Sequence, residues 1–512
     1  MQLHRSRERG IATKGDMMMK YNSAYKVFAM VMAAVLALFC TVFASAEEST
    51  PQAYSLYSGT PDTSWFSESN PNYDAASKTF VLSTADEFMG LPAVCNQDNN
   101  FLAGYTVKLA ANLVLNYGSA EEWEIRPPQY PYTPVAEFRG TFDGDGHFIS
   151  GVFIASGAGN IGLFSTLNGA TVKNVAIVNS FILAEQQVGV ICGRIKGTGS
   201  TVSNVYSDAT IIATKHHAGG IVGALEHGEG TLTGMSYFEK LAFEGSVMVL
   251  GGQYAAGIFS NTNGKPFTLS DCINTGSVTA MTQRAGGIMA ISHIDMAFES
   301  DSNVSRCLNA GVVEAGNKNS SPKKGAIIGY HKVNVLNLKD CVAVSDVYDV
   351  TVGELGAEPT IVVNETGTKK ITANEVKGNA VIDGWVAVPD SYPMPSETVA
   401  SMRAAYLAMR DTLLKAPDSS NPGGNQTDET DEGTDDKPTS PTSGENVTTG
   451  TIGGNAAPSG NDTGSQTQKS NQPTTGGCAS LLSSAAVLPV LALLACSAVL
   501  FRKRNRKEDN AK

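Results

Sequence analysis

The sequence predicts an all-β fold, a solenoid of short parallel strands, and three observations carry that expectation. Glycine makes up 52 of the 512 residues and charged residues only 17%, beside an ordinary 42% hydrophobic share. That balance suits a turn-rich β chain better than a helical one. Between residues 160 and 348 a small residue followed by two apolar ones recurs, in Gly162-Leu163-Phe164, Gly189-Val190-Ile191, Gly220-Ile221-Val222, Gly257-Ile258-Phe259, Gly287-Ile288-Met289 and Ala326-Ile327-Ile328. A second apolar position follows each of them, at Val172, Val202, Leu232, Leu269, Val304 and Leu338, at intervals of 30, 30, 37, 35 and 34 residues. A third short run, such as Gly276-Ser277-Val278, follows in the later units.

One such unit cannot cover its own apolar face, whereas the next unit stacked on it at ~4.8 Å extends a continuous core. Six units make a rod on the order of 30 Å long. Glycine at the corners lets the backbone take positive φ where the sheet changes direction. An antiparallel sandwich also places turns every ~8–12 residues, but it gives no reason for the same residues to recur in phase. The recurrence is sharpest in Asp271-Cys272-Ile273-Asn274, Arg306-Cys307-Leu308-Asn309 and Asp340-Cys341-Val342. Cys272, Cys307 and Cys341 are expected to stack as a buried ladder, with Asn274 and Asn309 beside them. Single cysteines 35 and 34 residues apart lack the spacing of a metal site. With Cys95 and Cys192 the exported chain carries five cysteines, which leaves at least one thiol free. Adjacent coils lie close enough to allow one ladder disulfide.

In chain order, residues 1–46 are a secretory signal peptide: the apolar run 27–46 follows Lys20 and Lys26 and closes on Ala44-Ser45-Ala46. Cleavage falls between Ala46 and Glu47. Residues 47–134 lead into the solenoid and cap it. Within them, Thr84-Ala85-Asp86-Glu87 is a capping box that starts a short helix through Val94, and 105–109 and 113–115 are strand-like. The repeats occupy 135–348. Residues 349–415 contain an amphipathic helix over 396–415 with Val399, Met402, Tyr406, Met409 and Leu413 on one face; it either caps the far end or packs beside the solenoid. Residues 416–477 hold no aromatic residue and are rich in Pro, Gly, Ser, Thr, Asn and Asp. Such a stretch cannot bury enough apolar surface to offset its ordering entropy and is expected to be a disordered stalk.

Residues 478–501 carry no charge and are long enough to cross a hydrocarbon core as a helix. The tail 502–512, with Arg502, Lys503, Arg504, Arg506 and Lys507, belongs in the cytoplasm by the positive-inside rule, which puts the preceding chain outside. Gln472-Pro473-Thr474-Thr475-Gly476 stands just before the span. This order of elements resembles the sorting signal of Gram-positive sortase substrates, L-P-x-T-G, with Gln472 in place of Leu. The resemblance implies cleavage after Thr475 and covalent attachment to the cell wall; a retained transmembrane helix is the alternative. The partners expected at this end are the membrane, peptidoglycan and a sortase. A formal charge of −12, with no Lys/Arg stripe outside the tail, excludes nucleic acid.

The succession STADEF, FRGTFDGDGHFISGV, IGLFSTLNGATVKNV and AGGIVG-type segments, over roughly residues 54–348, resembles bacterial surface proteins with GLUG-motif repeats on a pectin-lyase-like, right-handed parallel β-helix. The resemblance implies that fold and a role in display, adhesion or matrix contact; it names no ligand. Such folds also host polysaccharide lyases and hydrolases, so catalysis is judged on residues. Asp143 and Asp145 are the best carboxylate pair, yet both sit in a Gly-alternating turn where Asp bonds its own backbone. A lyase needs a cation-binding carboxylate cluster with a base, and a hydrolase two facing acids; the acids of the repeats read as sparse and out of phase. Lys215-His216-His217 and Glu226-His227-Gly228-Glu229 flank a strand whose ~3.3 Å rise per residue holds His217 and His227 apart. No catalytic, cofactor-binding or metal residue is assigned. The expectation is a non-enzymatic, adhesin-like solenoid anchored at a bacterial cell surface and binding an extracellular glycan or protein, with a polysaccharide-degrading lyase or hydrolase as the alternative.

Overall fold

Side-chain alternation within very short strands decides the architecture. In Thr79–Leu82 the pattern runs half-buried, buried, half-buried, buried, and the same beat recurs in Thr106–Leu109. A computed structural model of the protein describes residues 54–97, 102–226, 233–292, 302–316, 323–332, 334–345, 350–357 and 361–415. In it the inward positions stack in parallel register as Phe80, Val107, Phe142, Val172, Val202, Phe238, Leu269, Val304 and Leu338. None of these is more than 2% exposed. Each buried side chain of this size stabilises by about 1.5–3 kcal/mol, so the column is a main source of cohesion along the axis.

The result is a β-solenoid of about eight turns. Besides the long 17-stranded wall, a six-stranded ladder runs from Phe153–Ala155 to Val313–Ala315, and a seven-stranded one from Phe164–Asn168 to Val352–Leu355. A narrow four-stranded strip joins Ala218–Gly219, Tyr254–Ala256, Arg284–Gly286 and Lys323–Gly325. The long wall extends past the six units on both sides. Strands Thr79–Leu82 and Thr106–Leu109 precede them in register, and Val362–Thr366 follows. The limits drawn at residues 134 and 348 therefore do not interrupt the sheet.

Three details of the sequence reading change. Leu232 lies outside the described residues, and the third inward position is Phe238, paired with Val202. In the second unit Cys192, not Ile191, is the partner of Phe164, so that triplet is shifted by one residue. Gly151, Gly169, Gly197, Gly199 and Gly264, where the chain passes from one sheet to the next, do take positive φ, but the glycines of the repeated triplets do not. Left-handed non-glycine residues also form a column of their own, Asn174, Asn204, Lys240, Asp271, Arg306 and Asp340, with φ between 49° and 57°. They bend each rung of the long wall between its two halves. Asn and Asp tolerate this region because their short polar side chains bond locally: Asn174 Nδ2 donates to Asp143 Oδ1 at 3.0 Å, and Asn204 Nδ2 to Asn174 Oδ1 at 3.2 Å. The repeat glycines serve close approach. A Cβ on Gly257 would lie 2.3 Å from Gly287 O and 2.4 Å from Asn274 Cγ.

Helix Ala85–Gln97 begins at the capping box: Thr84 Oγ1 accepts from Glu87 N at 3.1 Å, and Glu87 Oε2 accepts from Thr84 N at 2.9 Å. Its Phe88 stacks on Tyr132 with ring centroids 5.4 Å apart and touches Phe142, closing the N-terminal mouth of the core. Helix Glu397–Leu413 does not cap the other end. It starts at Ser396, whose side chain accepts from Val399 N, and buries Val399, Met402, Tyr406, Met409 and Leu413. These pack on the outward residues of the long wall, among them Phe148, Ala176, Tyr206, Ala242 and Ile273. The helix runs back toward earlier rungs: Arg403 meets Glu244, Tyr406 packs against Phe148, and Leu413 O accepts from Gly118 N at 3.1 Å.

Candidate functional site

The face that remains open on the long wall is built by the residue preceding each inward position. Strand formers with β-branched side chains favour such half-exposed sites, and the register stacks Thr79, Thr106, Thr141, Thr171, Thr201, Tyr237, Thr268, Asn303, Asn337 and Asn364 in one line. The threonines are half-buried, and Tyr237 is 48% exposed. At the later rungs the amides bond one another, Asn337 Nδ2 to Asn303 Oδ1 at 3.0 Å and Asn364 Nδ2 to Asn337 Oδ1 at 2.9 Å. Nine rung spacings of ~4.8 Å give a straight polar ladder roughly 43 Å long.

Charges flank this ladder and close on one another. Asp143 is salt-bridged to Lys173 at 3.1 Å and accepts from Asp145 N at 3.0 Å. Despite partial burial, these bonds together with Asn174 hold its carboxyl below the usual range. Asp145 pairs with Lys108 at 2.9 Å. Both acids lie at an irregularity between Asp143 and His147 inside strand Thr141–Ser150, rather than in a free turn. They are structural ion pairs between rungs, not a facing acid pair.

Other residues singled out in the sequence separate. Cys272, Cys307 and Cys341 occupy one column, each 0% exposed, continuing Val175, Val205 and Leu241 of the earlier rungs. Asn274 Nδ2 donates to Asn309 Oδ1 at 2.8 Å beside them. All five described cysteines are free thiols, and burial pushes Cys95 up to about 12. His217 stacks on Tyr254 with centroids 5.1 Å apart, and Lys215 pairs with Glu185 at 2.7 Å; His227 and Glu229 lie outside the described residues. So do Ala46, Glu47, the pentapeptide Gln472 to Gly476, the 416–477 stalk and the 478–501 span. Among the described residues no helix is long and apolar enough to cross a membrane, and no group of His, Cys, Asp and Glu could hold a metal ion.

A second site was not foreseen. Asp208 and Glu244 follow Ser207 and Phe243, which are in register, so two acids stand one rung apart and in phase. They line a cavity of about 280 Å³ with Asn179, Thr210, Tyr406 and Arg410 at the foot of helix Glu397–Leu413. Glu244 accepts from Tyr206 Oη at 2.7 Å and from Arg403 Nε at 2.9 Å. Asp208 accepts from Asn179 N at 2.7 Å, and burial pushes its carboxyl above the ordinary carboxylate range while Tyr406 and Asn179 oppose that rise. The signal was present as an interval: Asp208 to Glu244 is the same step as Val202 to Phe238, which assignment of Leu232 to the third unit hid.

No family model matches the chain. Halomucin from Haloquadratum walsbyi is 37% identical over 91 residues, which is 17% of this chain and 1% of halomucin, so the chain matches only a small part of that protein's length. Among solved structures, a candidate immunoglobulin A1 protease from Bacteroides ovatus is similar with a TM-score of 0.46 at 20% identity, covering 63% of this chain and 93% of that one.

Proposed function

We propose that the protein is an adhesin-like binding module displayed at a bacterial cell surface, held there through its C-terminal region. The observation that carries this reading is the polar ladder: ten in-register side chains on a rigid wall offer many shallow contacts and no enclosed reaction centre. The acids beside the ladder support it, since Asp143 and Asp145 are committed to lysines. External display rests on the sequence order of signal peptide, stalk, apolar span and basic tail. It is tested by protease added to intact cells, which should release the solenoid by cutting within 416–477. An ectodomain resistant in whole cells but cut in lysates overturns the topology. Pro473→Ala with Thr475→Ala separates the two anchors, because a sortase substrate alone would lose a wall-linked form.

Binding is tested by applying the purified protein to glycan and matrix-protein arrays; saturable binding without product is the expected result. One observation favours a polysaccharide-degrading enzyme instead, the raised Asp208 carboxyl beside Glu244 in a cavity, since a hydrolase needs one protonated and one ionised acid. New reducing ends that vanish in Asp208→Ala or Glu244→Ala would establish that second reading and remove the first.

A further inference from the structure

We infer that the ligand of the ladder face is a neutral, extended polysaccharide lying parallel to the solenoid axis, an inference that rests on the binding-module reading above. The ladder repeats once per rung, at ~4.8 Å, close to the advance per sugar of an extended β-linked pyranose chain. Over a few rungs, each sugar can then meet the side chain of one rung. A folded protein partner has no reason to present the same group at every rung.

A threonine hydroxyl both donates and accepts, and an asparagine amide does both through separate atoms. Lines of Thr171, Thr201 and Thr268, then Asn303 and Asn337, match a polymer whose edge is a row of hydroxyls. Tyr237 interrupts the line near its middle and is 48% exposed. It supplies one apolar ring face with a polar tip, suited to stacking on the apolar face of a sugar.

Along the two positions after each inward residue, the cations Lys108, Lys173, Lys240, Arg306 and Lys339 stand beside Asp143, Glu239, Asp271 and Asp340, and Asp145 in the adjoining irregularity brings the acids to the same number. Three of these close as ion pairs, Lys108 with Asp145, Lys173 with Asp143 and Arg306 with Asp271. A face with no net charge offers no field to hold a polyanion.

The test uses the intact protein, with cellulose, chitin and mannan as neutral polymers, polygalacturonate as the acidic one, and neutral β-linked oligosaccharides of increasing length. The expected result is retention on at least one neutral polymer, with affinity rising with oligosaccharide length until the ~43 Å ladder is filled. Thr171→Val with Thr201→Val, which removes two hydroxyls and keeps the side-chain shape, should weaken binding about tenfold. Tyr237→Ala, at an exposed position, gives a second variant that leaves the core untouched and should also weaken it. Binding to polygalacturonate alone, or glycan or protein binding unchanged in both variants, overturns this inference and leaves the binding-module reading in place. Failure to bind any glycan or matrix protein on the arrays removes that reading itself, and this inference with it.

Discussion

Gly287→Ala tests how one rung is allowed to rest on the next. A Cβ at Gly287 would stand 2.1 Å from Ala326 O and 2.2 Å from Asn309 Cγ, where ordinary contact begins at 3.4 Å. The carbonyl cannot turn away without disturbing the ladder, and Asn309 is fixed by the bond from Asn274. Relief therefore needs the rungs to part by about 1.3 Å, the difference between 3.4 and 2.1 Å. That would break or stretch Gly287 N to Gly325 O at 3.1 Å and Gly257 N to Gly287 O at 3.2 Å. Overpacking costs about 1–3 kcal/mol, each lost bond about 1 kcal/mol, and the lower chain entropy of Ala in the unfolded state returns about 0.4–1 kcal/mol. A net loss of roughly 2–5 kcal/mol is expected, read by urea unfolding followed by circular dichroism. Gly287→Asn should lose at least as much. Were the glycine there for positive φ, Asn would instead be the milder change, so a milder Asn, or an Ala variant within about 0.5 kcal/mol of the parent, refutes the close-approach argument.

Met402→Ala, at a side chain 1% exposed under the C-terminal helix, should cost about 2–5 kcal/mol in the same unfolding experiment; a loss below that range would mean the helix is not packed as described. Asp208→Asn should match or exceed the parent in stability at pH 7. A carboxyl whose folded pKa is raised contributes stability that is full below its unfolded value and lost as pH rises through the folded one, so the advantage of Asn should fade toward pH 3, as melting curves across that window would show. Cys192, Cys272, Cys307 and Cys341 are each 0% exposed and Cys95 1%. Peptide mapping after iodoacetamide treatment at pH 8 should find all five unmodified in the native protein and labelled after denaturation; native labelling of Cys307 would contradict the buried column.

The fold was legible wherever one residue type had to recur. Cys272, Cys307 and Cys341 announced their column because a stacked interior accepts the same volume at each rung, and Thr84 with Glu87 announced the first helix because its orphan N–H groups need those acceptors. The third unit was not legible, since its inward position is filled by Phe238 after a longer corner, and volume alone does not distinguish it from Leu232. The same slip concealed Asp208 and Glu244. The triplet glycines could not be told from the corner ones for a physical reason: a residue without Cβ answers both a positive φ and a crowded neighbour, and sequence does not say which. The threonine line was visible only after register was known, because strands separated by 27–36 residues must first be placed side by side.

The fold-back of the C-terminal helix also decides how a pull on the chain would be borne. Tension applied beyond residue 415 enters at the bond between Leu413 O and Gly118 N, at the early rungs, and not at the last coil. From there its contacts run up the helix to Tyr406 on Phe148, then Arg403 on Glu244 and Ser396 on Asn204. Its contacts therefore meet the load one after another, beginning at the C-terminal turn, instead of sharing it. Peeling a helix in sequence needs less force than shearing parallel strands together. The helix should yield first and lengthen the chain beyond it, while the ladders between rungs stay intact and the open face keeps its shape.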